Sequence, residues 1–359
     1  MGFQRPPTAD ARMRIAMIAP PWVAVPPTAY GGTELVIDTL VRALSLAGHE
    51  VLLFATGDST SPVPRSWAFE SAVGIAGARP AAELHHVVNA YDWIAGEADI
   101  VHDHTLVGPV YARGFTTLPV VTTNHGPFDS ELGDYYRAIA TEIPVIAISH
   151  HQASKSVRTP IAAVIHHGVD VTRSPIGEGD GGYALFLGRM APEKGVRTAI
   201  TVAREAGVPL KLACKMEEPA ELAYYKALVE PLLGGNIEFV GEVGPKEKLE
   251  LLAGATCLLN PIAWAEPFGM VMIEALACGT PVVATPMGAV NEIVDDGVTG
   301  YIRSSRAELA VALVAASDLD RRVCREVASE RFSAARMADD HVRLYEQLVR
   351  ARNDPARVA

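Results

Sequence analysis

Short apolar runs alternate with helix-spaced segments along this chain, and the whole alternation occurs twice. "MRIAMIAPP" (13–21) ends at prolines, "GTELVIDTLVRALSLAGHE" follows with apolar residues at helical spacing and Gly48 placed as its C-cap, and "VLLFATGD" is the next run. An apolar run without polar alternation has both faces covered, as strands of a parallel sheet do. Parallel neighbours need a crossover, and the intervening helix supplies it. "DIVHDH", "PVVTTNHG", "PVIAIS" and "AAVIHHGVD" continue the series. Residues 173–182, "RSPIGEGDGG", have the Gly, Pro and charge content of an interdomain linker. The pattern then restarts with "YALFLGR", "GVRTAITVAREAG", "LKLAC", "IEFVGEV", "PKEKLELLAGA", "CLLNP", "GMVMIEALACG" and "PVVAT". The expectation is an α/β protein of two doubly wound, Rossmann-like parallel-sheet domains, 13–172 and 173–333, behind a disordered N-terminus (1–12). Two such sheets facing each other form a cleft at the carboxyl ends of their strands, where ligands of these sheets bind.

Length and charge agree with this division. A chain of 359 residues exceeds one ordinary core. Its formal net charge of -11 argues against a nucleic-acid partner and weakens an anionic-membrane reading. No apolar run approaches a membrane span, the N-terminus has no apolar signal core, and Pro6 stands where a myristoylation motif wants Ser or Thr. Cys214, Cys257, Cys278 and Cys324 fit no zinc spacing and read as small apolar residues in a reducing compartment. A cytoplasmic protein follows; a homodimer is left open.

Several strand ends carry chemistry. "YGGTE" (30–34) puts Gly31 and Gly32 between the first strand and its helix, either as an anion site or as a tight turn with an N-cap at Thr33. It is not the dinucleotide Gly-x-Gly-x-x-Gly pattern. In "LGRMAPEKG" (187–195), Arg189 and Lys194 stand just past a strand, where a guanidinium fork and an ammonium suit a diphosphate; a solvated charged loop is the alternative. "AEPFGMVMIEALACGTPVVAT" (265–285) places Gly269 and Met270 at a helix N-terminus with amides available to phosphate. Glu274, four residues past Met270, shares that face and can accept ribose hydroxyls, while Glu266 in the preceding loop can reach a sugar beyond the phosphates. Paired carboxylates also serve glycosidases, but that reading leaves Arg189, Lys194 and the glycine turns unused. "TTNHGPFD" (122–129) ends a strand with His125 over the cleft, open to a reacting group or to a structural hydrogen bond. "HDHT" (102–105) lacks further metal ligands, and alternation turns Asp103 away from His102 and His104. "HHGVD" (166–170) reads as a strand-end turn. "SDLD" (317–320) falls in a predicted C-terminal helix as surface charge, so no metal site is expected.

Taken in order, Gly31-Gly32, "NHG", "HHGVD", "GRMAPEKG", "EPFGMVMIEALACGTPVVAT" and "NEIVDDGVTGYI" resemble the retaining GT-B glycosyltransferases of family 4 (GT4), over about residues 13–350. The amphipathic tail 334–352 resembles the family's C-terminal helix, which crosses back to complete the first domain. The resemblance implies an N-terminal acceptor-binding domain and a C-terminal domain binding a nucleotide-diphosphate sugar. Arg189 and Lys194 would hold the donor diphosphate, Glu274 the ribose and Glu266 the sugar hydroxyls. Phe268, Gly269 and Met270 would supply loop amides, Gly31 and Gly32 would lie beside the phosphates, His125 beside the transferred sugar, and Glu242 and Val243 at the nucleobase. It further implies a metal-independent, retaining hexosyl transfer without cofactor, from a UDP-sugar to a small-molecule or glycan hydroxyl. His125, Arg189, Lys194 and Glu266 would be catalytic, with front-face attack beside the departing diphosphate. Two departures, "ACKMEEP" where many relatives have a Gly-rich turn and "MGAVNEIV" where many have Gly-Gly, bear on contacts near Lys215 and on the donor sugar. The alternatives are another GT-B enzyme (an epimerase or phosphorylase), a non-catalytic nucleotide-sugar binder, and a nicotinamide dehydrogenase, the last disfavoured by the missing glycine pattern. Loops 58–85 and 126–142 are the expected lining of the acceptor pocket.

Overall fold

The computed structural model describes residues 12–29, 31–74, 78–115, 117–129 and 131–352, so Tyr30 and nearly all of the expected N-terminal disorder lie outside the described residues. In the first half the order is β1 (Arg14–Ile18), α1 (Gly32–Leu46), β2 (Glu50–Ala55), β3 (Arg65–Trp67), α2 (Pro80–Ile94), β4 (Ile100–Asp103) and α3 (Val107–Phe115). It continues through β5 (Val120–Thr123), α4 (Glu131–Ile139), β6 (Val145–Ala147), α5 (His150–Ser154) and β7 (Ala163–Val164). The second half runs β8 (Ala184–Arg189), α6 (Val196–Ala206), β9 (Leu210–Lys215), α7 (Pro219–Tyr224), β10 (Ile237–Gly241), α8 (Pro245–Gly254) and β11 (Cys257–Asn260). Then come α9 (Met270–Ala277), β12 (Val282–Ala284), α10 (Val290–Ile293), β13 (Gly300–Ile302), α11 (Arg306–Ala315), α12 (Arg321–Arg331) and α13 (Ala334–Arg352).

The strands form two parallel sheets, of order β3-β2-β1-β4-β5-β6-β7 and β10-β9-β8-β11-β12-β13. Both reverse their winding once, between β1 and β4 and between β8 and β11. These are the switch points at which crevices open beyond the strand ends. Ile15, Met17 and Ile18 of β1 and Leu185 and Phe186 of β8 are excluded from water, because helices cover both faces of each sheet. Each core is therefore centred beside its own switch point, which fixes the strand ends that border the crevice.

Helix α13 returns to the first sheet. Val169 exchanges backbone hydrogen bonds with Phe332 and Ala334, both 2.9 Å, where the chain crosses over. Met337, Ala338, Leu344 and Tyr345 then join Ile37, Leu40, Val41 and Leu44 of α1 in one apolar cluster. This stripe follows α13's amphipathic spacing. Segment 173–182 lies against the second sheet's helices: Gly177 N–H donates to Cys278 O and Arg321 donates to Gly177 O.

Two expectations change. "SDLD" is a turn between α11 and α12, where Asp320 accepts from Arg322 N–H as the N-cap of α12. An aspartate offers more to a helix start than to a helix interior. At "GGTE", α1 begins at Gly32 with no side-chain cap, so Thr33 lies inside the helix.

Candidate functional site

Between the sheets, at the carboxyl ends of their strands, lies a cavity of about 360 Å³. The first half contributes Gly31, Gly32 and Thr33 after β1, His125 and Gly126 after β5, Ile148 after β6 and His167 after β7. Opposite stand Arg189 and Lys194 after β8, Lys215 at the end of β9, Glu242 and Val243 after β10 and Asn260 at the end of β11. The loop from β11 into α9 closes the ring with Trp264, Glu266, Phe268, Gly269 and Met270, and α9 and α8 add Glu274 and Lys248. Every site residue expected from sequence borders this one space. Among the described residues of loops 58–85 and 126–142, only Gly126 does.

The second-half wall is dense in charge, and its charges are paired. Lys194 Nζ donates to Glu266 Oε1 at 2.5 Å and lies 5.3 Å from the Trp264 ring centroid. Lys248 Nζ donates to Glu274 Oε1 at 2.5 Å. Arg189 reaches Glu193 at 2.9 Å and Glu221 at 3.5 Å. Lys215, buried, lies 3.9 Å from the other oxygen of Glu221, so one carboxylate stands between two cations. Glu266 and Glu274 thus both sit in ion pairs. Their partners lie 72 and 26 residues away, so sequence spacing could not reveal them.

Two glycines shape the Glu266 loop. Gly269 has φ +102°, in the region that favours glycine, and directs the chain into α9 with its N-terminus at the cavity. A side chain at Gly288 would place its Cβ 2.1 Å from Glu266 O, so the β12–α10 turn presses on the Glu266 backbone and Ala289 N–H donates to that same oxygen. The "MGAVN" departure therefore supports the loop that carries Glu266.

Among the described residues the first-half wall carries no charged side chain, yet it is backed by a row of imidazoles. His167 faces His125 with ring centroids 5.3 Å apart, His125 faces His104 at 5.2 Å, and His104 faces His102 at 4.0 Å. His104 Nδ1 and His125 Nε2 are 2.9 Å apart, and His104 Nε2 lies 3.0 Å from Met17 Sδ. His102 is held at both nitrogens, by Tyr345 Oη at 2.6 Å and Thr123 Oγ1 at 2.8 Å. Burial pushes His125 down to about 4 and His102, His104 and His167 well below the ordinary histidine value, so all are neutral at pH 7. Asp103 turns the other way, accepting from Tyr91 and Thr105, with its carboxyl raised to about 7 by burial. His167 escaped the sequence reading; its sole signal was the "HHG" strand end.

The halves also meet beside the cavity. The Phe268 ring packs edge-on against His167 at 5.1 Å, and Ser149 Oγ donates to Pro267 O at 2.6 Å. Glu292 of α10 accepts from the N–H groups of His150 and His151 at the start of α5 and is 2.8 Å from His166 Nε2. His150, His166 and Glu292 are close enough together to share a cation, but Glu292 is already engaged as the cap of α5, and none of the three lines the cavity. Among the described residues no helix is long and apolar enough to cross a membrane.

Comparison with known proteins gives the following. The family described as Glycosyltransferase Family 4 matches residues 30–173, and that described as Glycosyl transferases group 1 matches residues 172–323. The chain is 28% identical over 329 residues to a phosphatidyl-myo-inositol mannosyltransferase of Mycolicibacterium smegmatis, covering 81% of this chain and 80% of that protein. Among solved structures it is similar to AviGT4, a glycosyltransferase involved in avilamycin A biosynthesis, with TM-score 0.71, 25% identity and coverage of 94% and 98%. It shares the fold of Anabaena HepE, solved in complex with UDP and glucose, with TM-score 0.74, 20% identity and coverage of 94% and 100%.

Proposed function

This chain is a glycosyltransferase of the GT-B fold, belonging to family 4, and from that premise we propose that it moves a sugar from a nucleoside diphosphate sugar to a hydroxyl of a small-molecule or glycan acceptor, with retention at the anomeric carbon. One observation carries the reading. Arg189, Lys194 and the N-terminus of α9 border a single cavity that Glu266 and Glu274 also line. A diphosphate needs cations and amides together, and a ribose and a hexose each need an acceptor for their hydroxyls. The donor lies on the second-half wall: Glu242 and Val243 at the base, Glu274 at the ribose, Arg189 and Lys194 at the diphosphate, Glu266 at the sugar. UDP is the first nucleotide to test, since the same fold holds UDP in HepE. The acceptor enters from the first half.

Binding exchanges partners. The Lys194 ammonium, paired with Glu266, turns to the diphosphate, and Glu266 is released to sugar hydroxyls. The acceptor hydroxyl attacks the anomeric carbon on the face from which the diphosphate leaves. The bond to the phosphate oxygen breaks, and the proton passes to that oxygen. Arg189, Lys194 and the amides of Gly269 and Met270 stabilise the charge that grows there. No metal takes part in this scheme. The four cysteines, unpaired and buried, suit a cytoplasmic setting.

The test is a panel of nucleotide sugars, read by thermal stabilisation and by slow donor hydrolysis. A UDP-sugar that raises the melting temperature and is hydrolysed to UDP supports the reading. Stabilisation by no member of the panel overturns it, and conversion of the donor without release of nucleotide replaces transfer by epimerisation.

A further inference from the structure

We propose that His104 is a positioning residue, which, held by Met17, fixes His125 as a hydrogen-bond acceptor toward the cleft. The inference rests on the transferase reading for what His125 meets, but its structural part stands on proton accounting alone.

A neutral imidazole has one N–H and one lone pair. His104 has two neighbours. A thioether sulfur carries no proton and can only accept, so at 3.0 Å from Met17 Sδ the His104 Nε2 bears the hydrogen. Were it bare, two lone pairs would face each other at that distance inside the core. His104 Nδ1 is therefore the acceptor. Its partner, His125 Nε2 at 2.9 Å, must be the N–H that donates to it. That leaves His125 Nδ1 unprotonated. His125 lines the cavity, and its Nδ1 has no hydrogen-bond partner among the described residues. The order of donation is Met17 Sδ ← His104 ← His125, and whatever meets His125 in the cleft must donate to it.

The arrangement is held from behind. His104 stacks at 4.0 Å on His102, which is anchored at both nitrogens by Tyr345 and Thr123. On its other face His125 packs on His167. Neither imidazole can turn over without displacing a buried ring. Burial keeps the stack uncharged, so protonation does not scramble the order at neutral pH.

For the sugar the consequence is selective. A hydroxyl can donate to His125 Nδ1; a fluorine or a carbonyl oxygen at the same place cannot. "HDH" thereby acquires a role: its second histidine sets the polarity of the "NHG" histidine.

The experiment is a histidine-nitrogen NMR spectrum of the protein labelled with ¹⁵N-histidine, with His104 and His125 signals assigned by their loss in His104→Gln and His125→Gln. The expected result is both rings protonated at Nε2 and bare at Nδ1. A proton on Nδ1 of either ring overturns the proposal; where a glutamine variant fails to fold, through-bond correlation of each imidazole to its own backbone assigns the ring in the wild type. In Met17→Leu, which keeps the volume and removes the sulfur, the two rings should populate the opposite tautomers as well; an unchanged tautomer overturns control by Met17. No substrate is needed, so these outcomes are separable from failure of the transferase reading. With a donor in hand, singly fluorinated sugars form the second arm. One position should weaken donor affinity about three- to tenfold in the wild type, the worth of a hydrogen bond between neutral groups, and less in Met17→Leu. Equal affinity for every fluorinated donor overturns acceptance from the sugar.

Discussion

The two walls of the cleft are built on the same sheet topology and solve opposite problems. The second-half wall presents four cations, Arg189, Lys194, Lys215 and Lys248, with three carboxylates, Glu242, Glu266 and Glu274. These groups neutralise one another and their neighbours, because an unpaired half-buried charge is costly. They do so in pairs that a diphosphate and a sugar can exchange. The first-half wall presents glycines, apolar groups and imidazoles kept neutral by burial. On the proposed reading, one wall recognises charge and the other fixes the direction of hydrogen bonds. The difference shows that a shared fold constrains where a ligand binds, at the switch points, while the electrostatics of each wall are set by side chains from distant parts of the chain.

The largest expected effect breaks the charged wall. Arg189→Ala should reduce turnover at least a hundredfold, because charge on the leaving diphosphate is then stabilised by one side-chain cation fewer. Steady-state rates with a donor found in the panel check this, and a loss under tenfold would remove Arg189 from the diphosphate.

Acid should break the uncharged wall instead. Burial lowers six histidines: His86, His125 and His341 to about 4, and His102, His104 and His167 well below the ordinary value. Such a residue takes up its proton only on unfolding, so its stabilisation is complete above about pH 6.5 and is lost as pH falls toward 4. Three buried carboxylates oppose them in sign: Glu34 and Asp103, raised to about 7, and Glu83, also raised, hold protons that the unfolded chain releases. Six against at most three leaves a net uptake near pH 5, each proton being worth about 1.4 kcal/mol per pH unit. The melting temperature should fall between pH 7 and pH 5. In Tyr345→Phe, which loosens His102, that fall should change while affinity for UDP does not. A melting temperature independent of pH over this window would contradict a neutral, buried stack.

Much of this was legible in the sequence. Runs such as "MRIAMIAPP" and "YALFLGR" are apolar on both faces, and only parallel strands under helices accommodate them. Because such sheets bind at strand ends, Arg189, Lys194, Glu266 and His125 could be nominated from their place after a run. What could not be read were pairings across the fold. Lys248 looks like one more charge on a helix until α8 meets α9, and His102 has no evident partner until Tyr345 arrives from 243 residues away. Asp320 and Thr33 were misplaced because helix ends depend on local capping that apolar spacing does not encode.

Glu266 and Glu274 sharpen the comparison within the charged wall. Glu274→Gln should weaken UDP by about tenfold, the worth of a charge-assisted acceptor on ribose. Glu266→Gln should not weaken UDP, and the loss of its competing carboxylate frees Lys194 for phosphate; its turnover should fall all the same. Equal losses of UDP affinity in the two variants would contradict separate roles. The smallest effect concerns metal: EDTA should change turnover by less than twofold, and loss restored by Mg²⁺ or Mn²⁺ would require a cation beside Arg189 and Lys194.

Calorimetric titration of UDP into Lys194→Ala and His125→Ala, beside the wild type, sets one wall directly against the other. The division predicts at least tenfold weaker binding for Lys194→Ala, as a charged hydrogen bond is lost, and affinity within about twofold of wild type for His125→Ala, whose ring lies on the sugar side. Comparable losses in both variants, or a loss confined to His125→Ala, would contradict it.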